Sequence, residues 1–263
     1  MPNFSKKLSV IIVNFNGQAY LDKCLSSVFK NDQKKSDFEI IMVDNSGELN
    51  SEKISPGRQI HLLKPGKNIG FGSAANLGAQ VSQGEVLLFL NPDTEIAPDF
   101  FSKALEIFRQ RPDIAVLGPK IVDANGKIQK WSVGREVNFW DLLGNNLGFP
   151  RSQKIWENGK NQKVDWVSGT ALFIRQKFFN RVKGFDENLF LYFEDIDLCR
   201  RVRRKKGKIA YFPRLAVKHL GGQSFSSREA QKKYYYISQD HYFKKHFGAR
   251  MAFWVRFLRK SFG

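Results

Sequence analysis

The sequence predicts an α/β fold with a mostly parallel central sheet flanked by helices, ending in a basic helical extension. Three observations carry this. Short apolar, largely β-branched runs alternate with helical periodicity through the first half of the chain. The strongest of these runs end in polar clusters, as strands do at the ligand edge of an open α/β sheet. Finally, the positive charge is concentrated at the C-terminal end. From Arg200 onward there are 18 Lys and Arg against 2 acids, and these supply nearly all of the net +18.

The elements follow in order. Residues 8–13 read as a buried strand, and Gln18–Phe29 as a helix with Leu21, Leu25 and Val28 on one face. Residues 38–43 and 59–63 are further strands, and 71–81 is an Ala-rich helix. Residues 85–90 are a fourth strand, and 98–110 a helix with Pro98 near its start. Alternation of this kind implies right-handed crossovers. Beyond Val116, residues 120–129 read as a hairpin around Ala124-Asn125-Gly126, and 138–163 as mostly loop. Residues 166–175 are a loop followed by a strand. Residues 194–206 form a helix opened by acids and closed by bases, which suits its dipole. Residues 209–212 and 215–218 are short strands. Residues 226–247 are a helix with Ser226 as N-cap and Gly248 as the stop.

Composition narrows the function classes. Apolar residues make up 42%, ordinary for a globular protein, but 24 are Phe, which points to apolar surface beyond the core. Cys24 and Cys199 fall in helices without metal-ligand spacing and read as buried, reduced thiols. Lys6-Lys7 before an apolar run imitates a signal peptide, but the run is too short and ends in Asn14-Phe15-Asn16-Gly17. No apolar stretch reaches the roughly 20 residues needed to cross a bilayer. A cytoplasmic location is therefore expected.

The candidate chemistry lies where strands end. Asn91-Pro92-Asp93-Thr94 holds a carboxylate just past an apolar strand, able to bind a divalent cation on a diphosphate or to cap the next helix. Asp44, in Val43-Asp44-Asn45-Ser46, can meet a nucleoside or build a turn. The segment Asn68-Ile69-Gly70-Phe71, continuing to Asn76, opens a helix whose N–H groups can face a phosphate or simply pack closely. Glu194, Asp195 and Asp197 follow an aromatic run, which raises a carboxylate pKa toward that of a general base; acids also suit a helix N-terminus. His219 ends a short strand and becomes a ligand only if Asp93 holds a metal.

Together these motifs resemble glycosyltransferase family 2, with its GT-A fold, in the rhamnosyltransferase-like branch. The residues that carry the resemblance are Val10 to Gly17, Val43-Asp44-Asn45-Ser46, Asn68-Ile69-Gly70-Phe71, Asn91-Pro92-Asp93-Thr94, Gly184-Phe185-Asp186-Glu187 and Phe193-Glu194-Asp195-Ile196-Asp197. They span roughly residues 8–222 in the family's order. The resemblance implies that Asn14, Asn16, Asp44, Asn68, Gly70, Phe71, Asn76, Asn91 and Asp93 contact the nucleotide sugar. It implies a Mg²⁺ or Mn²⁺ ion on Asp93 and His219, with Asn91 standing where the family's metal motif has a first Asp. It casts Asp195 as the base of an inverting transfer, with Trp166, Gly169, Thr170, Glu194 and Asp197 on the acceptor side. Residues 1–225 would form the enzyme domain, 1–118 being the donor half and 119–225 the acceptor half, with 226–263 as an extension. The branch implies dTDP-L-rhamnose as donor and a lipid-linked or polysaccharide acceptor of the cell envelope; UDP- and GDP-sugars stay open.

Two other classes compete. A nucleotidyltransferase can use a related sheet but would need a Gly-rich phosphate loop after the first strand, which residues 14–17 do not supply. A nucleic-acid-binding module could use the basic quarter, and so could a membrane-binding one. Met251, Phe253, Trp254, Val255, Phe257 and Leu258 share one helical arc, with Arg256, Arg259 and Lys260 on the other. That pattern fits an amphipathic helix lying on an anionic leaflet, not a nucleic-acid surface; an ordinary packed terminal helix has the same pattern.

Overall fold

The computed structural model describes residues 4–31, 37–49, 59–146, 152–157, 159–221 and 228–262. The Ser226 cap and the 225/226 boundary lie outside them. Strand β1 (Lys6–Asn14) leads into α1 (Gln18–Phe29), β2 (Phe38–Asp44), β3 (His61–Leu63), α2 (Phe71–Gln80) and β4 (Gly84–Leu90). Next come β5 (Thr94–Ile96), α3 (Phe100–Gln110), β6 (Ile114–Val122), β7 (Val133–Gly134), α4 (Phe139–Asn146) and α5 (Gln153–Glu157). The chain continues through β8 (Gln162–Lys163), β9 (Trp166–Val167), β10 (Ala171–Arg175), α6 (Gln176–Arg181) and α7 (Glu194–Arg204). It closes with β11 (Lys208–His219), α8 (Arg228–Phe247) and α9 (Ala249–Phe262).

The central sheet runs β3-β2-β1-β4-β10-β6-β11-β5, with β8 added beside β11. Its first four strands are parallel, as the alternation predicts. The sheet as a whole is mixed, because β10 lies antiparallel between β4 and β6, and β5 and β8 lie antiparallel to β11. Strand β6 was not expected as a separate element. It crosses the 118/119 division, so the proposed halves share one sheet. The expected 120–129 hairpin reduces to a turn closed by one bridge, Val122 to Ile128. The two short strands expected at 209–218 are one strand, β11, with a register shift between Phe212 and Ala216. Pro213 sits at that shift, where a missing N–H is tolerated.

Strands β1, β2, β4 and β10 are largely apolar because most of their residues are buried on both faces. Alternate residues point to opposite sides. Ile11, Val13, Ile41, Val43, Leu87 and Phe89 pack against Ala74 and Ala75 of α2 and Leu198 and Val202 of α7. Val10, Ile12, Ile40, Met42, Leu88 and Leu90 pack against Leu21, Cys24 and Leu25 of α1 and Phe100, Ala104 and Phe108 of α3. Both cysteines are buried and free.

A third core ties the extension down. Leu189 and Phe193 pack against Tyr242 and Phe243 of α8 and Ala252 and Val255 of α9. The apolar arc expected on α9 is therefore split. Ala252 and Val255 face inward at 4% and 1% exposure, while Phe253, Trp254 and Phe257 remain 53–63% exposed. Among the described residues no helix is long and apolar enough to cross a membrane.

Candidate active site

Parallel register aligns the strand ends. Asn14 of β1 stands opposite Asp44 of β2, and Ile12 opposite Leu90 of β4, so the three polar clusters share one edge. At that edge Asn45 accepts from Ile69 N at 2.9 Å and donates to Asn68 Oδ1 at 2.9 Å, while Asn68 Oδ1 also accepts from Gly70 N at 3.0 Å. These bonds fold the 68–70 loop against the end of β2. Asn14 Oδ1 accepts from Gly17 N at 3.2 Å and shapes the entry to α1. Asn16 is exposed, with φ of 56°.

Two of the expected donor contacts do other work. Asp44 is fully buried. Its Oδ1 accepts from Ser46 and Gly47, and its Oδ2 from Leu49 N at 3.0 Å. Burial pushes its pKa up, but these hydrogen bonds outweigh that and hold it below the usual value. In this conformation a nucleoside would meet the turn that Asp44 builds, not its carboxylate. Asn76 is spent on the 184–187 loop, donating to Phe185 O at 3.0 Å and accepting from Phe185 N at 2.8 Å. It points away from the main cavity because a buried amide needs its partners.

Gly70 is required where it stands. Its φ of 84° and ψ of 164° belong to a region that only glycine populates easily, and a Cβ there would lie 2.6 Å from Phe190 O. Gly70→Ala is expected to destabilise the protein by about 2 kcal/mol or more, read as a lower urea midpoint. A midpoint equal to wild type would contradict this placement.

The Asn91-Pro92-Asp93 turn is pinned from both sides. Asn91 N donates to Thr170 O at 2.9 Å, and Thr94 Oγ1 donates to Asn91 O at 2.7 Å. Residues 94–96 do not lead directly into a helix; they form β5, whose Thr94 pairs with His219 of β11. That pairing brings His219 Nε2 within 3.2 Å of Asp93 Oδ1. Asp93 Oδ1 is buried and accepts no hydrogen bond. Gln129 donates to His219 O at 3.0 Å, so its Oε1, 2.7 Å from His219 Nδ1, accepts the ring proton. Nδ1 is thus engaged by Gln129 while Nε2 faces Asp93, the orientation of a ligating histidine held by an outer partner. Among the described residues no three His, Cys, Asp or Glu converge to hold a metal. A cation at Asp93 and His219 would take its remaining ligands from elsewhere.

Beside this edge opens a cavity of about 770 Å³. Its lining includes Phe71, Asn91, Trp166, Gly169, Thr170, Glu194 and Asp195. Donor-side and acceptor-side residues meet at Gly169, where a Cβ would lie 3.4 Å from the Phe71 ring and 3.9 Å from Asp195 Cβ. Trp166 is buried and donates to Arg135 O at 2.8 Å, which fixes that wall.

Asp195 stands in the first turn of α7, after Tyr192 and Phe193, which both hold left-handed φ values of 69° and 65°. Strained non-glycine backbone of this kind gathers at functional sites. Asp195 Oδ2 accepts from Gly169 N at 2.9 Å and Oδ1 from Ile196 N at 2.7 Å. Burial raises its pKa despite these two bonds. Glu194, 6% exposed, has an Oε2 with no hydrogen-bond partner, and burial together with Asp195 raises its pKa well above normal. Glu194 and Asp195 thus form a carboxylate pair that holds protons more readily than either group would in water.

Asp197 does not face the cavity. It is fully buried and accepts from Arg201 Nε, Lys245 Nζ and His246 Nε2, each at 2.7 Å. Its work is to clamp α8 to α7, and Asp186 assists through Lys245 and His241. Sequence reasoning missed Gln129, a residue with no motif around it. It also placed Arg259 on the outer face of the last helix, whereas Arg259 lines the cavity.

Solved structures share this architecture. TarS residues 1–349 of S. aureus superpose with a TM-score of 0.62 at 20% identity, covering 90% of this chain and 72% of that one. A mannosyltransferase of Pyrobaculum calidifontis, solved with GDP-Man and Mn²⁺, gives 0.62 at 13% identity, covering 93% and 65%. The fold is GT-A. The family model described as glycosyl transferase family 2 matches residues 9–182, and the chain belongs to that family. Among curated relatives, the N-acetylglucosaminyl-diphospho-decaprenol L-rhamnosyltransferase of Mycobacterium tuberculosis is 26% identical over 237 residues, 81% of this chain and 75% of the relative. The rhamnosyltransferase WbbL of Escherichia coli K12 is 26% identical over 234 residues, 83% and 86%. Family membership sets aside the nucleotidyltransferase reading and the purely binding module.

Proposed function

We propose that the protein is an inverting glycosyltransferase that moves a hexose, with dTDP-L-rhamnose the favoured donor, onto a hydroxyl of a glycan or lipid-linked acceptor in envelope polysaccharide synthesis. The relatives named as rhamnosyltransferases support the donor class. The observation that carries the reading is Asp195, a carboxylate with raised pKa held by two backbone N–H groups in the wall of the cavity.

The chemistry follows from that placement. The acceptor hydroxyl gives its proton to Asp195, and its oxygen forms a bond to the anomeric carbon from the side opposite the nucleotide. The bond from that carbon to the diphosphate oxygen breaks, the leaving group keeps the electron pair, and configuration inverts. Glu194 lines the same wall beside Asp195. Asn14, Asn16, Asn68, Gly70, Phe71 and Asn91 form the donor edge, with Asp44 as the builder of its turn. Trp166, Gly169 and Thr170 shape the acceptor side. Asp93 and His219 would hold a Mg²⁺ or Mn²⁺ ion, which when bound neutralises charge on the diphosphate. Solved fold relatives that contain Mn²⁺ are consistent with such an ion. We place the protein peripherally on the cytoplasmic face of the membrane, held by residues 226–263, with no role for nucleic acid.

Thermal unfolding with dTDP-L-rhamnose, UDP- and GDP-sugars, each with Mn²⁺ or EDTA, tests the donor. A donor at 100 times its Kd stabilises by about 2.7 kcal/mol. The expected result is a rise in Tm with one sugar nucleotide that EDTA or His219→Ala reduces. No rise with any sugar nucleotide would sink the reading, and a rise indifferent to EDTA would remove the cation from it.

A further inference from the structure

We propose that Gln239, on α8, is a specificity-determining residue of the acceptor side, its amide hydrogen-bonding the hydroxyl groups of a sugar ring that lies against Trp131. The inference deepens the acceptor assignment above and rests on it.

The first observation is an amide without a partner. Gln239 is 5% exposed and lines the same cavity as Asp195. Among the described residues its side chain makes no hydrogen bond, and neither amide atom is sealed away as Gln176 Oε1 is. The buried amides of Asn45 and Asn76, by contrast, both donate and accept within the fold. Native folds rarely leave such a group unmet, because desolvating it without a partner costs stability. The second observation is how firmly Gln239 is placed. Beside it in sequence, buried Ser238 donates to Leu191 O at 2.7 Å. Phe193 packs on Tyr235 at 5.2 Å and on Tyr242 at 5.3 Å, one turn to either side of Gln239. Helix α8 is thereby fixed against the run that leads into Asp195, and the amide is set in advance of any ligand.

Trp131 supplies the other half of the subsite. It lines the cavity, is 50% exposed and holds a left-handed φ of 62°. A bulky residue keeps such backbone only where its surroundings impose it. Here the indole meets buried Trp156 at 4.9 Å and 68°, and Trp156 Nε1 donates to Val133 O at 2.7 Å. A fixed ring with apolar surface suits the C–H face of a pyranose, whose hydroxyls then point outward to polar groups. Asn145 of α4, also without a side-chain hydrogen bond among the described residues, adds a second amide to the lining. The chemistry of the amide selects the occupant. Its N–H donates and its carbonyl accepts, and a hydroxyl does both, so neighbouring sugar hydroxyls satisfy both ends together. An alkyl chain would leave both unmet, and a fully ionised phosphate would leave the carbonyl oxygen unmet. Neither Gln239 nor Trp131 belongs to the strand-end edge assigned to the donor, so the ring is the acceptor's.

The test uses the full chain and, as probes, the methyl pyranosides of glucose, galactose, mannose and N-acetylglucosamine, titrated by saturation-transfer NMR without donor. At least one is expected to bind the wild type, and its single-deoxy analogues should bind less well where they lack a hydroxyl that Gln239 meets. Gln239→Leu should weaken that pyranoside by about tenfold or more. Its urea midpoint should equal or exceed that of the wild type, because an apolar side chain of similar shape removes no bond within the fold. A purely structural glutamine would give the opposite, a lowered midpoint. Trp131→Ala, at a half-exposed position, gives a second reading and should also weaken binding. No binding of any pyranoside to the wild type would overturn the subsite. Unchanged binding in both variants would do the same, as would a lowered midpoint in Gln239→Leu. A transfer assay with the pyranoside as acceptor separates the two readings. Binding that depends on Gln239, without transfer from any sugar nucleotide, removes the proposed reaction and leaves the subsite. Transfer with acceptor KM and kcat unchanged in Gln239→Leu removes the subsite and leaves the enzyme.

Discussion

Asp195→Asn is expected to lower kcat by about 10³-fold, within the roughly 10² to 10⁴ that a positioned general base contributes. The replacement keeps the shape and keeps an acceptor for Gly169 N, 2.9 Å away in the wild type. What it removes is the place for the acceptor's proton. Two effects on stability oppose each other. Burial raises the folded-state pKa of Asp195 above its ordinary value, so the fold disfavours the ionised form, and a neutral amide avoids that penalty. The amide has one acceptor oxygen, however, so Ile196 N, which donates to the other carboxylate oxygen at 2.7 Å, would face an NH₂ group, and Tm should stay close to wild type. The same shift sets the pH profile. Catalysis needs the carboxylate, so kcat/KM should rise with pH through a limb lying above the usual Asp value of about 3.9. Asp195→Asn should have no such limb. Full activity in this variant, or an acid limb that persists in it, would show that another group takes the proton.

The second large effect concerns stability. Asp197→Ala should cost about 3–5 kcal/mol, the range for removing one partner of a buried ion pair. Its carboxylate is fully buried and accepts three hydrogen bonds, from Arg201, Lys245 and His246. Without it the positive charge of Arg201 and Lys245 loses its buried counter-ion, although Lys245 keeps Asp186 at 2.7 Å. The pH dependence has a definite sign. Burial raises the Asp197 pKa, but its partners, led by His246, outweigh this and lower it. A depressed carboxylate contributes stability that is present above the unfolded value, about 3.9, and is lost as pH falls through the lower folded value. Acid should therefore loosen the wild type late, and Asp197→Ala should already be loose at neutral pH. Urea unfolding monitored by circular dichroism measures the loss. Limited proteolysis around residue 221 reports whether α8 and α9 separate first. A midpoint unchanged from wild type would mean that the third core holds α8 without the clamp.

Much of the fold was legible because its evidence is local. The Gln18–Phe29 helix matches its periodicity residue for residue, and the ends of β1, β2 and β4 fall where polar clusters interrupt apolar runs. Parallel pairing then places those ends on one edge without further information. The Asp93–His219 contact was anticipated as a possibility, but the element that creates it was not. Strand β5 has three residues, and it is a strand only because β11 lies beside it. Short strands owe their conformation to partners far away in sequence, so local propensity does not reveal them.

Side-chain roles divided in the same way. Asp195 and Asp197 are two residues apart in one acidic motif, yet one lines the cavity and the other is a clamp. On a helix two positions differ by about 200°, so neighbouring acids face opposite ways. Asn76 and Asp44 belong to motifs that suggest a ligand, and both spend their polar atoms on the backbone. Nothing in their residue types distinguishes these outcomes. Arg259 reversed in the other direction, from outer face to cavity wall, because the packing of α9 against α8 is a tertiary contact that periodicity does not encode.

By itself, then, the sequence determined the α/β class, the edge at which ligands meet the sheet and the motifs that mark the family. These depend on hydrophobic period and strand order, which are written along the chain. The tertiary structure alone decided the antiparallel insertion of β10, the pairing that delivers His219 to Asp93, and which acids face the cavity. It also divided the last helix between a packed face and an exposed one. Each of these depends on which distant group satisfies a buried polar atom or covers an apolar face, and that is settled only when the chain has closed on itself.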